Sequence, residues 1–338
     1  MTVKTERAHH ATTPMTADLL TRIGVDGADL STHLGDTYVL EAIEHLDRMG
    51  VEADWFATRC SLLLLKPDAV VARGVAPTLE WLAAHRWRIL HAARVESGRH
   101  LARALWQTSW ARASVERRRL ADLLVEMCDS MVLLVTDDHS AVGAADGAVG
   151  VSAGAVEDVE GAVGVSAGAA GGESATERLT REKGPTDPTA GAPGELRHAL
   201  GHRSYLLNLV HTPDTPVEVL REWAIMLDES GREACLQDVI DGGVGVAERV
   251  AALAGELYSQ TPEREFVRAV AAERVAAQMS AAAARPASPG PDLTDDRVCA
   301  DMLRSAWANG IDLDPWSVIV LGSHVLPMTS DPTRRECR

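Results

Sequence analysis

The sequence is poor in aromatic residues and has no excess of positive charge. Aromatic side chains make up 4% of its 338 residues, whereas the hydrophobic fraction is 46%. Much of that apolar content is alanine, so the hydrophobic fraction overstates the size of the core. The length allows one domain with sizeable extensions, or two domains. A net charge of -16 argues against nonspecific binding to nucleic acid or anionic membranes, because polyanion binding requires cationic potential.

Paired cysteines and long apolar runs are also missing. The five cysteines are widely separated without C-x-x-C spacing, which argues against a zinc or redox pair and fits a reducing cytoplasm. The N-terminal twenty residues are polar, and no segment approaches the length of a membrane-spanning helix. We therefore expect a soluble cytoplasmic protein, which could still bind phosphorylated small molecules through a local cluster of Lys and Arg.

Apolar periodicity predicts alternating strands and helices in the middle of the chain. The short apolar runs are typical of buried strands, and the stripes at helical spacing are typical of amphipathic helices. This alternation indicates an α/β or α+β sandwich. The predicted strands are 61–66, 87–95, 131–137 and 204–211, and the predicted helices are 75–86, 101–110, 115–128 and 216–227.

The two ends of the chain are predicted to be mainly helical. A stripe over 37–49 predicts a helix in an N-terminal extension, residues 1–59. In the C-terminal extension, 231–338, helices are expected around 246–257, up to about 284 and at 294–308, with a linker near 285–292. The apolar run WSVIVLGSH at 316–324 is assigned to no element.

A low-complexity segment interrupts the pattern at about 138–174. It consists largely of Ala, Gly and Val, and GAVGVSAGA occurs at 147–155 and again at 161–169. Small side chains bury little area, and glycine loses much backbone entropy on ordering. The segment is therefore predicted to be a flexible surface insertion.

Three separated segments carry a resemblance to a known family. They are LLLLKPDAVVARG at 62–74, GPTDPTAGAPGELR at 184–197 and NLVHTPD at 208–214. Taken together and in this order, they resemble the signature segments of nucleoside diphosphate kinases. The resemblance covers about residues 60–230 and implies an α+β fold with a ferredoxin-like βαββαβ sandwich core, whose helices lie on one face of the sheet.

The resemblance implies a ping-pong phosphotransfer through a phosphohistidine. A nucleoside triphosphate, such as ATP, phosphorylates a histidine and leaves, and a second substrate then collects the phosphoryl group. His211 matches the histidine, and Glu222 matches the carboxylate that orients the imidazole. Mg²⁺ is expected to bind through the nucleotide phosphates and not in a cage of protein ligands.

Further residues match positions that contact the substrate in this family. Charge that spreads over the transferring oxygens must be neutralised, so cations and hydrogen-bond donors are expected around the phosphates. Lys66 and Arg197 match the cations, Thr186 matches a loop hydroxyl that donates to phosphate, and Asn208 matches a sugar contact. An additional family arginine does not align, and Arg181 or Arg178 is the candidate for it.

The sequence also departs from the family. Thr212 and Pro213 follow the histidine where Gly and Ser are usual, so a hydroxyl is displaced, and Thr212 is a candidate to compensate. Trp106 replaces a tyrosine near the phosphates and so lacks the phenolic hydroxyl. The segment ARASVERRR at 111–119 offers no ring where an aromatic residue normally stacks on the base, and such stacking is worth about 1 to 3 kcal/mol.

Three functions stay open at this point. The retained residues favour an ordinary nucleoside diphosphate kinase, with a nucleoside diphosphate as acceptor. The missing base platform and the long extensions favour a phosphotransferase that acts on a small metabolite, and Pro213 favours a regulatory scaffold. The resemblance also implies a homo-oligomer assembled through the sheet and the 184–197 loop, unless the extensions block those contacts.

Overall fold

The protein is built around an antiparallel sheet. The structure, a computed structural model, describes residues 9–137, 172–282 and 290–330. The predicted insertion lies outside the described residues except at its C-terminal end. The strands are β1 (Cys60–Leu65), β2 (Trp87–Val95), β3 (Ser130–Asp137) and β4 (Val210–His211). Within the described residues they run across the sheet in the order β2, β3, β1, β4.

Helices account for most of the remaining described residues. Before β1 they are α1 (His9–Arg22), α2 (Gly27–Leu34), α3 (Thr37–Arg48) and α4 (Ala53–Arg59). Between β1 and β3 they are α5 (Pro67–Val71), α6 (Val75–Ala84), α7 (Arg99–Leu105), α8 (Gln107–Arg112) and α9 (Val115–Val125). Between β3 and β4 they are α10 (Ala175–Lys183) and α11 (Leu196–Ala199), with a 3-10 turn at Pro188–Ala190.

The chain after β4 is helical. Its helices are α12 (Pro216–Met226), α13 (Glu229–Ile240), α14 (Val246–Gln260), α15 (Arg268–Ala282), α16 (Asp296–Ala308) and α17 (Pro315–Val325). All of WSVIVLGSH therefore belongs to a largely buried helix, α17. Within the part of the chain that the structure describes, no helix has the length and apolarity needed to span a membrane.

Strand β1 lies at the centre of the core, and this position accounts for its continuous apolar sequence. It pairs with β3 on one side, where Leu62 faces Leu134, and with β4 on the other, where Leu64 faces His211. All of its residues are buried. Because side chains alternate between the two faces of a sheet, a continuous apolar run is expected only where both faces are covered.

Both faces of the sheet are indeed covered by helices. On one face, Leu62 and Leu64 share a core with Phe56 of α4 and Trp223 of α12, and the N-terminal helices close this core. On the other face, Leu63 packs with residues of α6, α10 and α14. The implied arrangement, with helices on one face only, is therefore wrong, because α12 covers one face and α6 and α10 cover the other, and the extensions add helices to both layers.

The C-terminal helices form a third core against α9. Leu120 and Leu124 of α9 pack with residues of α15, α16 and α17. The segment after α17 is fixed to the turn before α9, since Ser114 Oγ donates to Pro327 O at 2.5 Å and Ser330 N donates to Arg112 O at 3.0 Å. The C-terminal extension thus holds α9 in place.

The predicted strand at 204–211 is wrong except for its last two residues. Leu209 has a φ of 68°, a left-handed conformation that interrupts a strand. Its N–H donates to Asp68 Oδ2 at 2.8 Å instead of to a neighbouring strand. Side-chain hydrogen bonds of this kind compete with sheet ladders, and here they shape a loop.

The predicted helix at 101–110 is interrupted at Trp106. Its φ and ψ of -107° and 33° are not helical, so α7 ends at Leu105 and α8 begins at Gln107. The other helices and strands predicted between 37 and 137 are confirmed with shifts of a few residues at their ends. The break at Trp106 matters because this residue contacts His211.

Candidate functional site

The three signature-like segments meet around one cavity of about 210 Å³. Lys66 follows the end of β1, Arg197 lies in α11, and His211 ends β4. Trp106, helix α8 and helix α9 complete the wall. The predicted site residues that line this cavity are Lys66, Trp106, Thr186, Arg197, Asn208 and His211.

Glu222 lies behind the imidazole of His211. Helix α12 begins with a capping box between Thr215 and Glu218, which fixes the helix start and carries the next turn back toward β4. Both carboxylate oxygens of Glu222 lie 2.9 Å from His211 Nε2. The Glu222 side chain is 5% exposed and that of His211 is 18% exposed, so the pair is shielded from water except on the cavity side.

The neighbours of His211 define which nitrogen carries the proton. Trp106 Nε1 lies 3.3 Å from His211 Nδ1, and an indole N–H can only donate. Nδ1 therefore accepts, and in the neutral ring the proton sits on Nε2, which donates to Glu222. The lone pair of Nδ1 therefore lies at the cavity wall, where it accepts from Trp106, and it becomes free for nucleophilic attack when the indole turns aside.

Lys66 is a buried cation at the end of β1. Its Nζ donates to Leu206 O at 3.3 Å and lies 3.5 Å from Asp68 Oδ2. Burial lowers the pKa of Lys66, and nearby Asp68 partly offsets this effect. Desolvation penalises the charged amine, so an anion in the cavity would stabilise the protonated form of Lys66.

Arg197 ties the 184–197 loop to the sheet. Its Nη1 donates to Gly184 O at 3.0 Å and to Thr186 Oγ1 at 3.2 Å. Nε donates to Asn208 O at 3.2 Å and Nη2 donates to Val210 O at 2.8 Å. These contacts leave one guanidinium N–H, on Nη2, for a ligand. Burial lowers the pKa of Arg197 to about 10.

Thr186 and Asn208 also have partners in the structure. Thr186 Oγ1 accepts from Arg197, so its own hydroxyl hydrogen is available to donate to a bound group. Asn208 Nδ2 donates to Tyr205 O at 2.9 Å. The side-chain oxygen of Asn208 is the atom best suited to accept from a ligand hydroxyl.

Lys183 lines the same cavity, although the sequence patterns did not identify it as a site residue. Its Nζ donates to Thr212 Oγ1 at 2.5 Å and lies 3.9 Å from Asp214 Oδ1. Burial, with a smaller contribution from Arg197, lowers its pKa to about 8. Lys183 directly precedes Gly184 and therefore supplies a cation at the start of the loop, where the resemblance implied an arginine.

The arginine candidates lie outside the cavity wall. Arg181 is exposed and forms hydrogen bonds with Glu173 at 2.9 and 2.7 Å. Arg178 donates to Glu182 Oε1 at 2.9 Å, and its guanidinium lies over the ring of Trp87. Among the residues that line the described cavity, the cation nearest to these positions in sequence is Lys183.

Thr212 does not offer its hydroxyl to the cavity. The residue is fully buried, and its Oγ1 lies 2.7 Å from Thr180 Oγ1 and 2.5 Å from Lys183 Nζ. Any compensation for the displaced family hydroxyl therefore acts through Lys183.

Aromatic rings line the other end of the cavity. Trp110 and Tyr205 are part of its wall, together with apolar residues of α9 such as Leu124. The guanidinium of Arg117 lies 4.9 Å from the centre of the Tyr205 ring. The segment 111–119 has no ring of its own, but its Arg117 lies over a ring from a distant loop.

No metal cage accompanies these cations. In the described ranges, no group of three or more His, Cys, Asp or Glu side chains is placed to hold a metal ion. Asp214 is the carboxylate of the cavity wall. This donor set fits Mg²⁺ that arrives with phosphate oxygens and retains water, as magnesium commonly does.

Comparison with known proteins finds similarity only among solved structures. No protein-family model and no curated protein matches the chain. The chain is similar to a nucleoside-diphosphate kinase from Borrelia burgdorferi with bound vanadate and ADP, at 14% identity and a TM-score of 0.37. The match covers 51% of this chain and 89% of that one.

Two further nucleoside diphosphate kinases show the same degree of similarity. The Pyrobaculum aerophilum protein has 18% identity and a TM-score of 0.34, and the Aquifex aeolicus protein has 14% identity and a TM-score of 0.36. Each match covers 51% of this chain and 97% of the other. Because these identities and TM-scores are low, a proposal about function must rest on the geometry of the site.

Proposed function

We propose that the protein is a phosphotransferase that moves the γ-phosphoryl group of a nucleoside triphosphate to His211 and then to an acceptor, in the first instance a nucleoside diphosphate. One observation carries the proposal. His211 Nδ1 accepts from Trp106 at the wall of a cavity that also contains Lys66, Lys183, Arg117 and Arg197, while Nε2–H donates to Glu222.

In the first step the indole of Trp106 turns aside and Nδ1 attacks the γ-phosphorus. The Nδ1–P bond forms, the bond from phosphorus to the bridging oxygen breaks, and its electron pair leaves with the diphosphate. The ring becomes positively charged, and Glu222 stabilises that charge through Nε2–H. Lys66, Lys183 and the remaining N–H of Arg197 are placed to neutralise charge on the phosphate oxygens.

Magnesium would enter with the nucleotide. When bound, it neutralises charge on the β- and γ-phosphates. Lys66 and Lys183 would bind the oxygens that the metal leaves free, and Asp214 is the carboxylate that could share the ion's hydration shell. The aromatic end formed by Trp110 and Tyr205 would hold the nucleoside.

The same proposal includes a ferredoxin-like core. Support comes from the strand order β4, β1, β3, β2 with antiparallel neighbours. The catalytic unit would span about residues 60–230, with helical extensions on either side. The described cysteines are free thiols, which fits the proposed reducing cytoplasm.

The test is transfer of label from γ-³²P-ATP and Mg²⁺ to the protein. We expect a labelled protein that is stable to alkali and labile to acid, as a phosphohistidine is, with the label lost in His211→Ala. Label should return to ATP on addition of ADP. Absence of an acid-labile label on correctly folded wild-type protein would contradict the proposal and favour a regulatory scaffold.

A further inference from the structure

A second cavity lies against His211 and Trp106. Its volume is about 220 Å³. The wall combines the N-terminal extension, the break between α7 and α8, and the first turns of α12. Its residues are Thr32, His33, Asp36, Leu105, Trp106, Gln107, Thr108, Ser109, His211, Asp214, Glu218, Arg221 and Glu222.

The two cavities carry opposite charge. The first contains the cations Lys66, Lys183, Arg117 and Arg197, with the single carboxylate Asp214. The second contains carboxylates and, besides two histidines, a single cation, Arg221, whose Nε donates to Asp36 Oδ2 at 2.7 Å. Its carboxylates are Asp36, Asp214, Glu218 and Glu222.

The second cavity is therefore unsuited to a polyphosphate. Carboxylates at contact distance repel phosphate oxygens, and the one guanidinium is already paired. Its volume is close to that of the first cavity, so the charge of the wall and not the volume distinguishes the two cavities. Hydroxyl and amine groups suit a wall of carboxylates, amides and hydroxyls.

Trp106 and His211 belong to both walls. The Trp106 indole donates to Nδ1 of His211, so this nitrogen lies at the boundary between the cationic and the acidic cavity. Trp106 also sits at the helix break, where its backbone is not restrained by helical geometry. A phosphoryl group on Nδ1 would be within reach of a molecule in either cavity once the indole turns aside.

We infer that the acidic cavity binds the phosphoryl acceptor, and that this acceptor is a small hydroxylated molecule, uncharged or cationic, such as an amino alcohol. The inference rests on the proposed phosphohistidine. It changes the acceptor from a nucleoside diphosphate to a small metabolite. It also gives the N-terminal extension a role in binding the acceptor, because Thr32, His33 and Asp36 form one wall of the cavity.

The transfer to the acceptor is a simple displacement at phosphorus. The acceptor hydroxyl oxygen forms a bond to phosphorus, the P–Nδ1 bond breaks, and its electron pair returns to Nδ1. The hydroxyl proton passes to Asp214, the carboxylate that lines both cavities. The imidazole is again neutral, with Nε2–H donating to Glu222.

The experiment uses the full chain, labelled with γ-³²P-ATP and freed of nucleotide by gel filtration. Ethanolamine and choline are added as cationic probes, glycerol as a neutral probe and glycerate as an anionic control. We expect at least one cationic or neutral probe to accelerate loss of label tenfold or more over spontaneous hydrolysis, and glycerate to have no effect. The label should appear in the corresponding phosphate ester.

Cavity-filling variants test whether the probe-dependent loss of label requires the acidic cavity. Thr32→Trp and Thr108→Trp each place a large ring in the wall, whereas Ser31→Trp adds the same ring to α2 at a residue that does not line the cavity. Both filling variants should keep labelling by ATP and return of label to ADP, but lose probe-dependent discharge. Ser31→Trp should behave as wild type.

The outcomes separate the two proposals. If the protein is labelled but no probe discharges it, or if the filling variants discharge like wild type, the inference is overturned and the phosphohistidine stands. If no label forms on His211, the proposed function itself fails.

Discussion

The amine of Lys183 donates to the hydroxyl of Thr212 across 2.5 Å, and both side chains are buried. Thr212 directly follows His211, so this contact fixes a cation next to the reactive histidine. The pKa of Lys183 falls to about 8, chiefly because of burial. Below that pH the amine is charged, and above it the amine becomes neutral, so the cavity loses positive charge within an accessible pH range.

Binding of a nucleoside triphosphate should therefore weaken as the pH rises through about 8. In Lys183→Arg the charge persists throughout, because arginine stays protonated in this range. We expect the apparent Kd for ATP·Mg²⁺ to rise several-fold between pH 7 and 9.5 in wild type and to stay nearly constant in Lys183→Arg. Fluorescence titration at closely spaced pH values measures this.

A matched variant assigns the effect to one lysine. Burial also lowers the pKa of Lys66, so Lys66→Arg is compared under the same conditions. Its binding curve should retain the alkaline loss. The assignment to Lys183 is wrong if Lys183→Arg loses affinity at high pH as steeply as wild type does.

Replacement of Lys183 by methionine should stabilise the fold. The folded pKa of about 8 lies below the ordinary lysine pKa of 10.5, so the folded state binds the proton less tightly than the unfolded chain does. That cost is fully present below pH 8 and disappears as the pH rises toward 10.5. At about 1.4 kcal/mol per pKa unit it amounts to about 3 kcal/mol at neutral pH.

Urea unfolding at pH 7 measures this gain. We expect Lys183→Met to raise the free energy of unfolding by about 1 to 3 kcal/mol and to impair phosphoenzyme formation, since functional sites often trade stability for activity. At pH 10 the stability difference should shrink. A loss of stability at pH 7 would show that the hydrogen bond to Thr212 outweighs desolvation.

Much of the core could be predicted from the sequence, because its elements follow from local patterns. The continuous run of β1 indicated a strand buried on both faces, and apolar periodicity located α3, α6 and α12 within a few residues. The strand predicted at 204–211 was wrong because Leu209 adopts a positive φ and donates to Asp68. That contact joins residues 141 positions apart, which no local pattern reveals.

The helical period of α10 could have found Lys183. The helix buries Thr176, Leu179 and Lys183, which are spaced three and four residues apart and so share one face. Arg178 and Arg181 fall off that stripe. Matching residue types to a family favoured the arginines, whereas the periodicity favoured the lysine. The place of the Trp110 and Tyr205 rings in the site could not be predicted from the sequence, because only tertiary packing brings them to one cavity.

Glu222 should govern the reactivity of His211. Glu222→Gln keeps an oxygen that can accept from Nε2–H but removes the negative charge that stabilises the phosphorylated ring. Hydrogen bonds to charged groups are worth about 1.5 to 3 kcal/mol, so labelling should slow by about ten- to a hundredfold. Rapid-quench labelling with γ-³²P-ATP measures the rate.

Glu218→Gln is the matched control on the same helix. Glu218 accepts from the backbone N–H groups of Asp214 and Thr215, and a glutamine oxygen can accept the same bonds. The rate of labelling should stay within about twofold of wild type, because the lost charge does not contact the imidazole. Equal slowing in both variants would point to a general effect of α12 instead of a specific one of Glu222.

The turn between α13 and α14 should be sensitive to a single methyl group. Gly243 has a φ of 76°, and a Cβ there would lie 2.9 Å from Ile89 O and 3.1 Å from Leu90 Cα, so the turn packs on the backbone of edge strand β2. Gly242 has a similar φ of 69°, but a Cβ there would meet nothing within 4 Å. The two glycines therefore separate backbone strain from steric contact.

Gly242→Ala should lower the free energy of unfolding by about 1 kcal/mol, the cost of a left-handed alanine. Gly243→Ala should cost about 1 to 3 kcal/mol more, because the turn must move away from β2. Displacement of the turn would uncover the edge of β2 and favour pairing between chains, so light scattering should show more association for Gly243→Ala. Equal stability losses in the two variants would mean that the turn does not press on the strand.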